Sequence, residues 1–193
     1  GAINYGHSNE RMRAALLAYI ESDGIIHSLD MATTAKFQFM ERFVTSILCP
    51  RGLDYTLQFT GPGGTNAIET ALKIARLNTK RPHIAAFTNG YHGLTLGSLA
   101  ITSNAHYRND AFLDRSNASF LPFDGYLGYG VDTIAHIRKL LVDSSSGLGL
   151  PAAIVAETVQ AEGGVQVARV AWLQDLSALC REFGILLIVD DIQ

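Results

Sequence analysis

A run of small residues leads directly into a stretch with helical spacing. Gly63, Gly64 and Thr65 stand at the junction, and Asn66 with Glu69 three residues later resembles a capping box that would fix the helix start. Small residues let backbone N–H groups approach an anion, and a helix start adds unpaired donors and the positive end of the helix dipole. The segment predicts a phosphate site, although a glycine-rich turn that only enters a helix would have the same pattern. Neither nucleotide fingerprint is present, because no Gly-Lys-Ser/Thr follows and the G-x-G-x-x-G pattern is not matched.

An aromatic and an imidazole side chain follow the first apolar run that predicts a buried strand, Ile84–Thr88. Tyr91 lies between nearby glycines and can offer the face of its ring to a planar ligand, with His92 beside it. Both residues also have ordinary structural interpretations, since a loop tyrosine is often simply packed and a histidine simply hydrogen-bonded.

Two carboxylates and an amide follow the second predicted strand, Ala152–Ala156. Glu157, Gln160 and Glu162 precede the pair Gly163-Gly164, and this arrangement could position a substrate or a proton. A solvated loop with a Gly-Gly turn would have the same composition, so this segment alone leaves both interpretations open.

A pair of aspartates ends the third predicted strand, Ile185–Val189. A carboxylate that leaves an all-apolar strand is costly to bury unless it meets a cation or hydrogen-bond donors. Asp190 could meet the protonated nitrogen of a heteroaromatic cofactor ring. The structural alternative is an aspartate that caps a following helix.

The elements that must position these residues alternate between helices and strands. Apolar side chains recur at helical spacing within residues 12–20, 40–48, 68–75, 134–141 and 172–183, the last closed by Gly184. Segments 49–55, 103–130 and 144–151 are predicted as loops. Continuous apolar strands between helices predict an α/β fold with a mostly parallel sheet covered by helices on both faces. In such sheets ligands bind where strands end and helices begin, which is where the polar segments lie.

The composition argues against several classes of function. Of 193 residues, 48% are apolar and 17% charged, the net charge is −3, and the basic residues are scattered singly. This favours a globular domain and gives no sign of nucleic acid or an anionic membrane as partner. No apolar run approaches the ~20 residues of a membrane span, no signal peptide opens the chain, and the histidines show no metal-ligand spacing. With Cys49 and Cys180 predicted to be buried free thiols, we expect a cytoplasmic protein.

The order of these segments resembles that of the class III (omega) aminotransferases among the fold-type I enzymes that use pyridoxal 5′-phosphate (PLP). The resemblance covers essentially the whole chain, and the phosphate-binding Ser-Gly-Thr-Glu-Ala pattern of the family corresponds to residues 63–67. It implies PLP as cofactor and a large-domain sheet covered by helices. The implied cofactor contacts are Gly64 and Thr65 at the phosphate, Tyr91 with His92 at the ring face, Asp190 at the pyridine nitrogen, Ile192 under the ring and Gln193 near the phenolic oxygen. The implied catalytic residues are Asp190 and Glu162, which would lie near the substrate.

Within the class, further segments resemble the diaminobutyrate transaminases of ectoine synthesis, namely residues 29–36, 50–55, 64–67, 157–164 and 187–193. The implied reaction moves a terminal amino group between glutamate and L-aspartate 4-semialdehyde, giving L-2,4-diaminobutyrate and 2-oxoglutarate. Leu94 stands where acetylornithine transaminases carry an arginine, which argues against acetylornithine as substrate. Ala161 and Gly63 depart from the subfamily pattern, so another omega-aminotransferase with an ornithine- or 4-aminobutyrate-like substrate stays open.

The resemblance also raises expectations about what the chain contains. The family's lysine that holds PLP covalently lies downstream of the Asp190-x-x-Gln193 pattern, and none of Lys36, Lys73, Lys80 and Lys139 matches it. We therefore expect an incomplete chain that is inert by itself: a small-domain remnant at 1–30, the N-terminal part of the large PLP-binding domain at 31–193, and no C-terminal remainder. The implied partners are glutamate or 2-oxoglutarate and further copies in a homodimer or higher homo-oligomer. A non-catalytic protein with a PLP fold and a nucleotide-binding α/β domain are the alternatives.

Overall fold

The computed structural model describes residues 4–28, 31–109, 111 and 117–193. The chain forms two compact units, Gly1–Phe59 and Thr60–Gln193. The domain boundary that we predict between residues 30 and 31 stays a prediction. Leu29 and Asp30, which contribute to the subfamily resemblance, lie outside the described residues.

Helices make up most of the first unit. Helix α1 spans Glu10–Glu21 and α2 spans Thr34–Phe43, and α2 continues as a π-helical turn over Val44–Leu48 and a 3-10 turn over Cys49–Arg51. Both α-helices begin after a residue whose side-chain oxygen accepts a backbone N–H of the first turn, which satisfies one of the unpaired donors there. These capping residues are Asn9 and Thr33.

The second unit contains the sheet that the sequence predicts. Its strands are β1 (Ile84–Phe87), β2 (Ala118–Leu121), β3 (Ala153–Glu157), β4 (Val159–Gln160), β5 (Gln166–Val167) and β6 (Leu186–Asp190). Four of them form a parallel sheet in the order β2-β1-β3-β6, and β4 and β5 form an antiparallel hairpin. The register pairs Glu157 with Asp190, so β3 and β6 end together at one edge.

Helices cover the sheet on both faces, as predicted. They are α3 (Gly64–Thr79), α4 (Leu96–Ile101), α5 (Thr133–Val142) and α6 (Val170–Phe183). Alternate residues of each central strand point to opposite faces. Ile154 of β3 belongs to the apolar cluster that contains Ile137 of α5 and Leu176 of α6. The next residue, Val155, belongs to the cluster that contains Leu72 of α3. The two buried faces explain why these strands are apolar throughout.

The sequence did not predict the hairpin of β4 and β5, and two longer elements also differ from its prediction. Strand β2 lies within residues 103–130, which the sequence predicts as loop, and α4 is a six-residue helix that was not predicted. The side chains of β2 are mostly half-buried, so its sequence lacks the continuous apolar character of its neighbours. Helix α4 is too short to show a periodic apolar pattern. Its N-cap side chain also accepts no hydrogen bond from the backbone N–H groups of the first turn.

Other sequence expectations can be compared with the described residues. Cys180 is buried as predicted, and burial raises the pKa of its thiol to about 11. Cys49 is exposed, which corrects the prediction that both thiols are buried, because the chain leaves its helix there in a 3-10 turn. Within the described residues no helix is long and apolar enough to cross a membrane, and no group of three or more His, Cys, Asp or Glu could hold a metal ion.

Candidate functional site

Three chain segments bring polar side chains to the edge where the parallel strands end. The segment after β1 carries Tyr91 and His92, β3 ends in Glu157, and β6 ends in Asp190. Asn89 has a positive φ of 63°, so the chain turns sharply just after β1. The sequence therefore predicted the location of these residues correctly, because parallel strands must present their carboxyl ends at one edge.

Asp190 and His92 form a buried pair at this edge. The Nδ1 atom of His92 lies 2.8 Å from Oδ2 of Asp190, and the two side chains are only 1% and 6% exposed. The backbone N–H of His92 donates to Thr102 Oγ1 at 2.9 Å, which fixes the residue from the other side. Beside an ionised carboxylate, Nδ1 carries the proton and donates it. Among the described residues, the second oxygen, Oδ1, receives one long 3.4 Å contact, from the Ile192 amide, and it can accept a further hydrogen bond.

Tyr91 borders a polar cavity of about 320 Å³. Its ring meets the Tyr107 ring edge-on, with centroids 5.4 Å apart, and its backbone N–H donates to Glu157 Oε1 at 2.9 Å. Burial raises the pKa of Tyr91, and Tyr107 and Glu162 act in the same direction. The remaining lining is polar or glycine, and consists of Asn89, Gly90, Ser103, Asn104 and Gly163.

The start of α3 leaves backbone donors available. Gly63 is the N-cap, and it offers no side-chain cap. Among the described residues, the N–H groups of Gly64 and Thr65 have no protein acceptor, whereas the amides of Asn66 and Ala67 already donate to the Gly63 carbonyl. A Cβ at Gly64 would approach Ile192 Cγ1 to 2.9 Å. Residues 63–65, here called the anion loop, are therefore in close contact with Ile192, which lies two residues beyond β6. Two free amides at a helix start form a ready anion site.

Asn66 and Glu69 do not form the predicted capping box, because α3 begins at Gly64, two residues earlier than Asn66. The Glu69 carboxylate instead accepts the backbone N–H groups of Gly97 and Ser98 at 2.9 and 3.1 Å. Glu69 therefore caps α4, whose own N-cap residue makes no side-chain capping hydrogen bond. The capping prediction was wrong because the spacing Asn-x-x-Glu does not show whether the glutamate caps its own helix or a neighbouring one. Here it caps the neighbouring helix, α4.

The Thr65 hydroxyl is tied to the same neighbourhood. Its Oγ1 lies 2.8 Å from Thr95 Oγ1 and 3.0 Å from Ser98 Oγ. Gly93 has a φ of +115°, and a Cβ there would lie 2.4 Å from Thr65 Oγ1. Only glycine therefore fits between the anion loop and the turn that carries Tyr91 and His92. These contacts bring the first and second predicted segments together.

The remaining predicted site residues lie on the same side of the sheet. Glu162 lines the cavity next to Tyr91, and Ile192 and Gln193 are exposed just beyond β6. Gln160 is 1% exposed, and its Nε2 donates to the Thr88 carbonyl at 2.8 Å, so it connects β4 to the end of β1.

Sequence reasoning did not single out one residue that the structure places in the site, Tyr107. This residue comes from a 3-10 turn inside the predicted loop, and nothing in its sequence context indicates contact with Tyr91. Glu157, which the sequence offered as one of two carboxylates that could position a substrate or a proton, ends an apolar strand in the same way as Asp190. Its carboxylate is buried, and burial raises its pKa.

The residues present fit a flat, anionic cofactor with a basic ring nitrogen. A phosphate would meet the free amides of Gly64 and Thr65, and a protonated ring nitrogen would meet the buried carboxylate of Asp190. Ile192 touches the anion loop, and Tyr91 lies one residue before the partner of Asp190. An anion site and a carboxylate at one sheet edge suit a ligand that carries both features.

Comparison with known proteins identifies the family of the chain. The model of the aminotransferase class-III family matches residues 1–193. A diaminobutyrate–2-oxoglutarate transaminase of Wolinella succinogenes is 56% identical over 193 residues, which are 100% of this chain and 45% of that protein. One of Vibrio cholerae is 55% identical over 193 residues, 100% of this chain and 46% of that protein. An amine transaminase from an uncultivated Pseudomonas species, solved in its PLP-bound form, has a TM-score of 0.79 at 28% identity, over 96% of this chain and 44% of that chain.

The fold is that of the PLP-dependent transaminases, with a parallel sheet covered by helices. More narrowly, the chain belongs to the class-III aminotransferase family. It spans less than half the length of the curated relatives named above.

Proposed function

We propose that the protein containing this chain is a PLP-dependent transaminase that interconverts glutamate and L-aspartate 4-semialdehyde with 2-oxoglutarate and L-2,4-diaminobutyrate. The observation that carries the proposal is the buried Asp190 carboxylate, held by His92 beside a helix start with two free amides. The choice of substrates is supported by relatives named diaminobutyrate–2-oxoglutarate transaminase that are 49–56% identical to this chain.

Asp190 is the residue that controls the cofactor's chemistry. When bound, PLP supplies the carbonyl that takes up the amino group and the ring that withdraws electrons from the reacting carbon. An ionised carboxylate against the ring nitrogen keeps a proton there, because the ion pair stabilises the charged form of the ring. His92 donates to one oxygen of Asp190 and leaves the other oxygen for this contact. His92 thus orients the carboxylate.

Gly64 and Thr65 would anchor the phosphate through their backbone N–H groups. This contact would lie away from the reacting carbon, so its binding energy would serve to fix the orientation of the ring. Tyr91 and Ile192 would hold the ring, and Gln193 would lie near its phenolic oxygen. Ile192 is suited to this because it already packs against the Gly64 turn.

Glu162 is the proposed acidic residue on the substrate side. It lines the cavity with Tyr91, and among the lining residues named above it is the one carboxylate. A carboxylate in a polar cavity can orient an ammonium group of the amino donor or of the diamine product.

The compartment, assembly and pathway belong to the same proposal. We propose a cytoplasmic homodimer or higher homo-oligomer that acts in ectoine synthesis. The absence of a membrane-spanning helix among the described residues is compatible with the first point. Size-exclusion chromatography with light scattering on the protein as encoded by its gene measures the oligomeric state.

An assay of substrate choice tests the proposed function. The encoded protein is supplied with PLP, glutamate and L-aspartate 4-semialdehyde, and 2-oxoglutarate and L-2,4-diaminobutyrate are quantified. Ornithine, 4-aminobutyrate and N-acetylornithine are then compared as amino donors to 2-oxoglutarate. We expect L-2,4-diaminobutyrate to have the highest kcat/KM. A higher kcat/KM for one of the other donors would overturn the substrate choice, and no transamination with any of them would overturn the enzyme class.

A further inference from the structure

A second buried carboxylate lies beside Asp190. Glu157 is the last residue of β3, it pairs in register with Asp190 of β6, and it is 7% exposed. Side chains of paired residues on neighbouring strands point to the same face, so the two carboxyl groups are neighbours. Two ionised carboxylates side by side in a buried site repel each other.

A hydrogen bond joins the Glu157 side chain to the backbone of the site's aromatic residue, Tyr91. Its Oε1 accepts the Tyr91 N–H at 2.9 Å. That amide belongs to a turn that no strand holds, since β1 ends at Phe87 and Asn89 reverses the chain. The contact is long-range in sequence, and it connects the end of β3 to the residue before His92.

We infer that Glu157 is a positioning residue that holds Tyr91, and with it His92, through its acceptor oxygen and not through a negative charge. An acceptor is needed there because a buried backbone N–H without a partner is costly. The position needs an acceptor oxygen, whereas a charge on Glu157 would lie beside the Asp190 carboxylate.

The electrostatics of the site disfavour a charge on Glu157. Burial raises the pKa of Glu157, and the neighbouring Asp190 acts in the same direction. The backbone hydrogen bonds from Tyr91 and Ala161 and the proximity of His92 oppose this but do not reverse it. Oε1 of Glu157 can accept the Tyr91 N–H whether the carboxyl group is charged or neutral.

Two substitutions separate the acceptor from the charge. Glu157→Gln keeps the carbonyl oxygen and removes the ionisable group, whereas Glu157→Met keeps the length and removes the strong acceptor. Glu182→Gln and Glu182→Met are matched controls, because Glu182 lies on the exposed side of α6 and pairs with Arg138. Of the two readouts below, only the PLP titration rests on the proposed function.

The first readout needs no cofactor. In the encoded protein without PLP, hydrogen exchange at the Tyr91 amide is measured by mass spectrometry or NMR. We expect Glu157→Met to speed exchange about tenfold or more, as for the loss of one buried hydrogen bond. Glu157→Gln and both Glu182 controls should stay within about threefold of the parent.

The second readout is PLP affinity from a fluorescence titration. We expect Glu157→Met to weaken PLP binding about tenfold, and Glu157→Gln to leave it nearly unchanged. Fast exchange or weak PLP binding in a folded Glu157→Gln protein would overturn the inference, because it would show that the charge matters. Unchanged exchange in Glu157→Met would overturn it from the other side. If Glu157→Met does not fold, the Glu157→Gln result still decides, and a failure of PLP binding in the parent would instead count against the proposed function.

Discussion

At the scale of single residues, the site depends on one buried ion-pairing group. Asp190 leaves an apolar strand, and a carboxylate in that position is unfavourable unless donors surround it. His92 supplies one donor at 2.8 Å, and a protonated ring nitrogen would supply the second. The buried carboxylate of Asp190 therefore favours a ligand that carries a protonated ring nitrogen.

Replacing Asp190 by asparagine in the encoded protein should remove most transamination while PLP still binds. The amide is of the same size but cannot stabilise a protonated pyridine nitrogen, so electron withdrawal by the ring is lost. We expect kcat to fall by about two orders of magnitude or more, equivalent to about 3 kcal/mol. Steady-state kinetics and a PLP titration measure the two effects separately. Turnover near that of the parent would remove Asp190 from the mechanism.

Gly64 is a second residue at which the geometry makes a sharp prediction. A methyl group there would press on Ile192, and it would push the anion loop away from that residue. Gly64→Ala should weaken PLP binding about tenfold with little loss of thermal stability. Gly149→Ala is the matched control, because a Cβ at Gly149 meets nothing within 4 Å.

Adding Ile192→Ala to Gly64→Ala tests the cause of that effect. Removing the Ile192 side chain beyond Cβ makes room for the new methyl group. The double variant should therefore lose less PLP-binding free energy than the sum of the losses in the two single variants. Strict additivity in the titration would show that the contact between these residues is not the reason.

At the scale of elements, the sequence predicted helices with an apolar face several turns long and strands with a continuous apolar run. Helix α3, strand β3 and strand β6 carry strong periodic or continuous apolar patterns, and the residues at their ends could be placed for that reason. Strand β2 and helix α4 were missed because their formation depends on tertiary contacts. Strand β2 is fixed by its pairing with β1, and α4 by a side chain from α3.

Glu69 is the contact between α3 and α4 that should matter most for stability. Glu69→Ala removes the acceptor for the amides of Gly97 and Ser98, and it also removes a partner of the Thr95 hydroxyl. We expect a loss of about 1–2 kcal/mol in the free energy of unfolding, as for other helix caps. Glu69→Gln should lose less because one acceptor oxygen remains. Denaturant unfolding measures both, and equal stability of Glu69→Ala and the parent would contradict this role.

At the scale of the whole molecule, three segments that are distant in sequence meet at one sheet edge. Their meeting could be predicted from the sequence because the carboxyl ends of parallel strands share an edge. The details could not be predicted from local patterns. The contact of Gly93 with Thr65, the edge-on packing of Tyr91 and Tyr107, and the hydrogen bond from Tyr91 to Glu157 join residues that lie 16 to 66 positions apart.

A crystal structure of the encoded protein with PLP tests the central claim most directly. The account predicts the phosphate against the backbone N–H groups of Gly64 and Thr65. It also predicts the pyridine nitrogen within about 3.2 Å of an Asp190 carboxylate oxygen, with His92 still on the other oxygen. A phosphate held elsewhere, or a ring nitrogen that faces a group other than Asp190, would contradict the assignment of this sheet edge as the cofactor site.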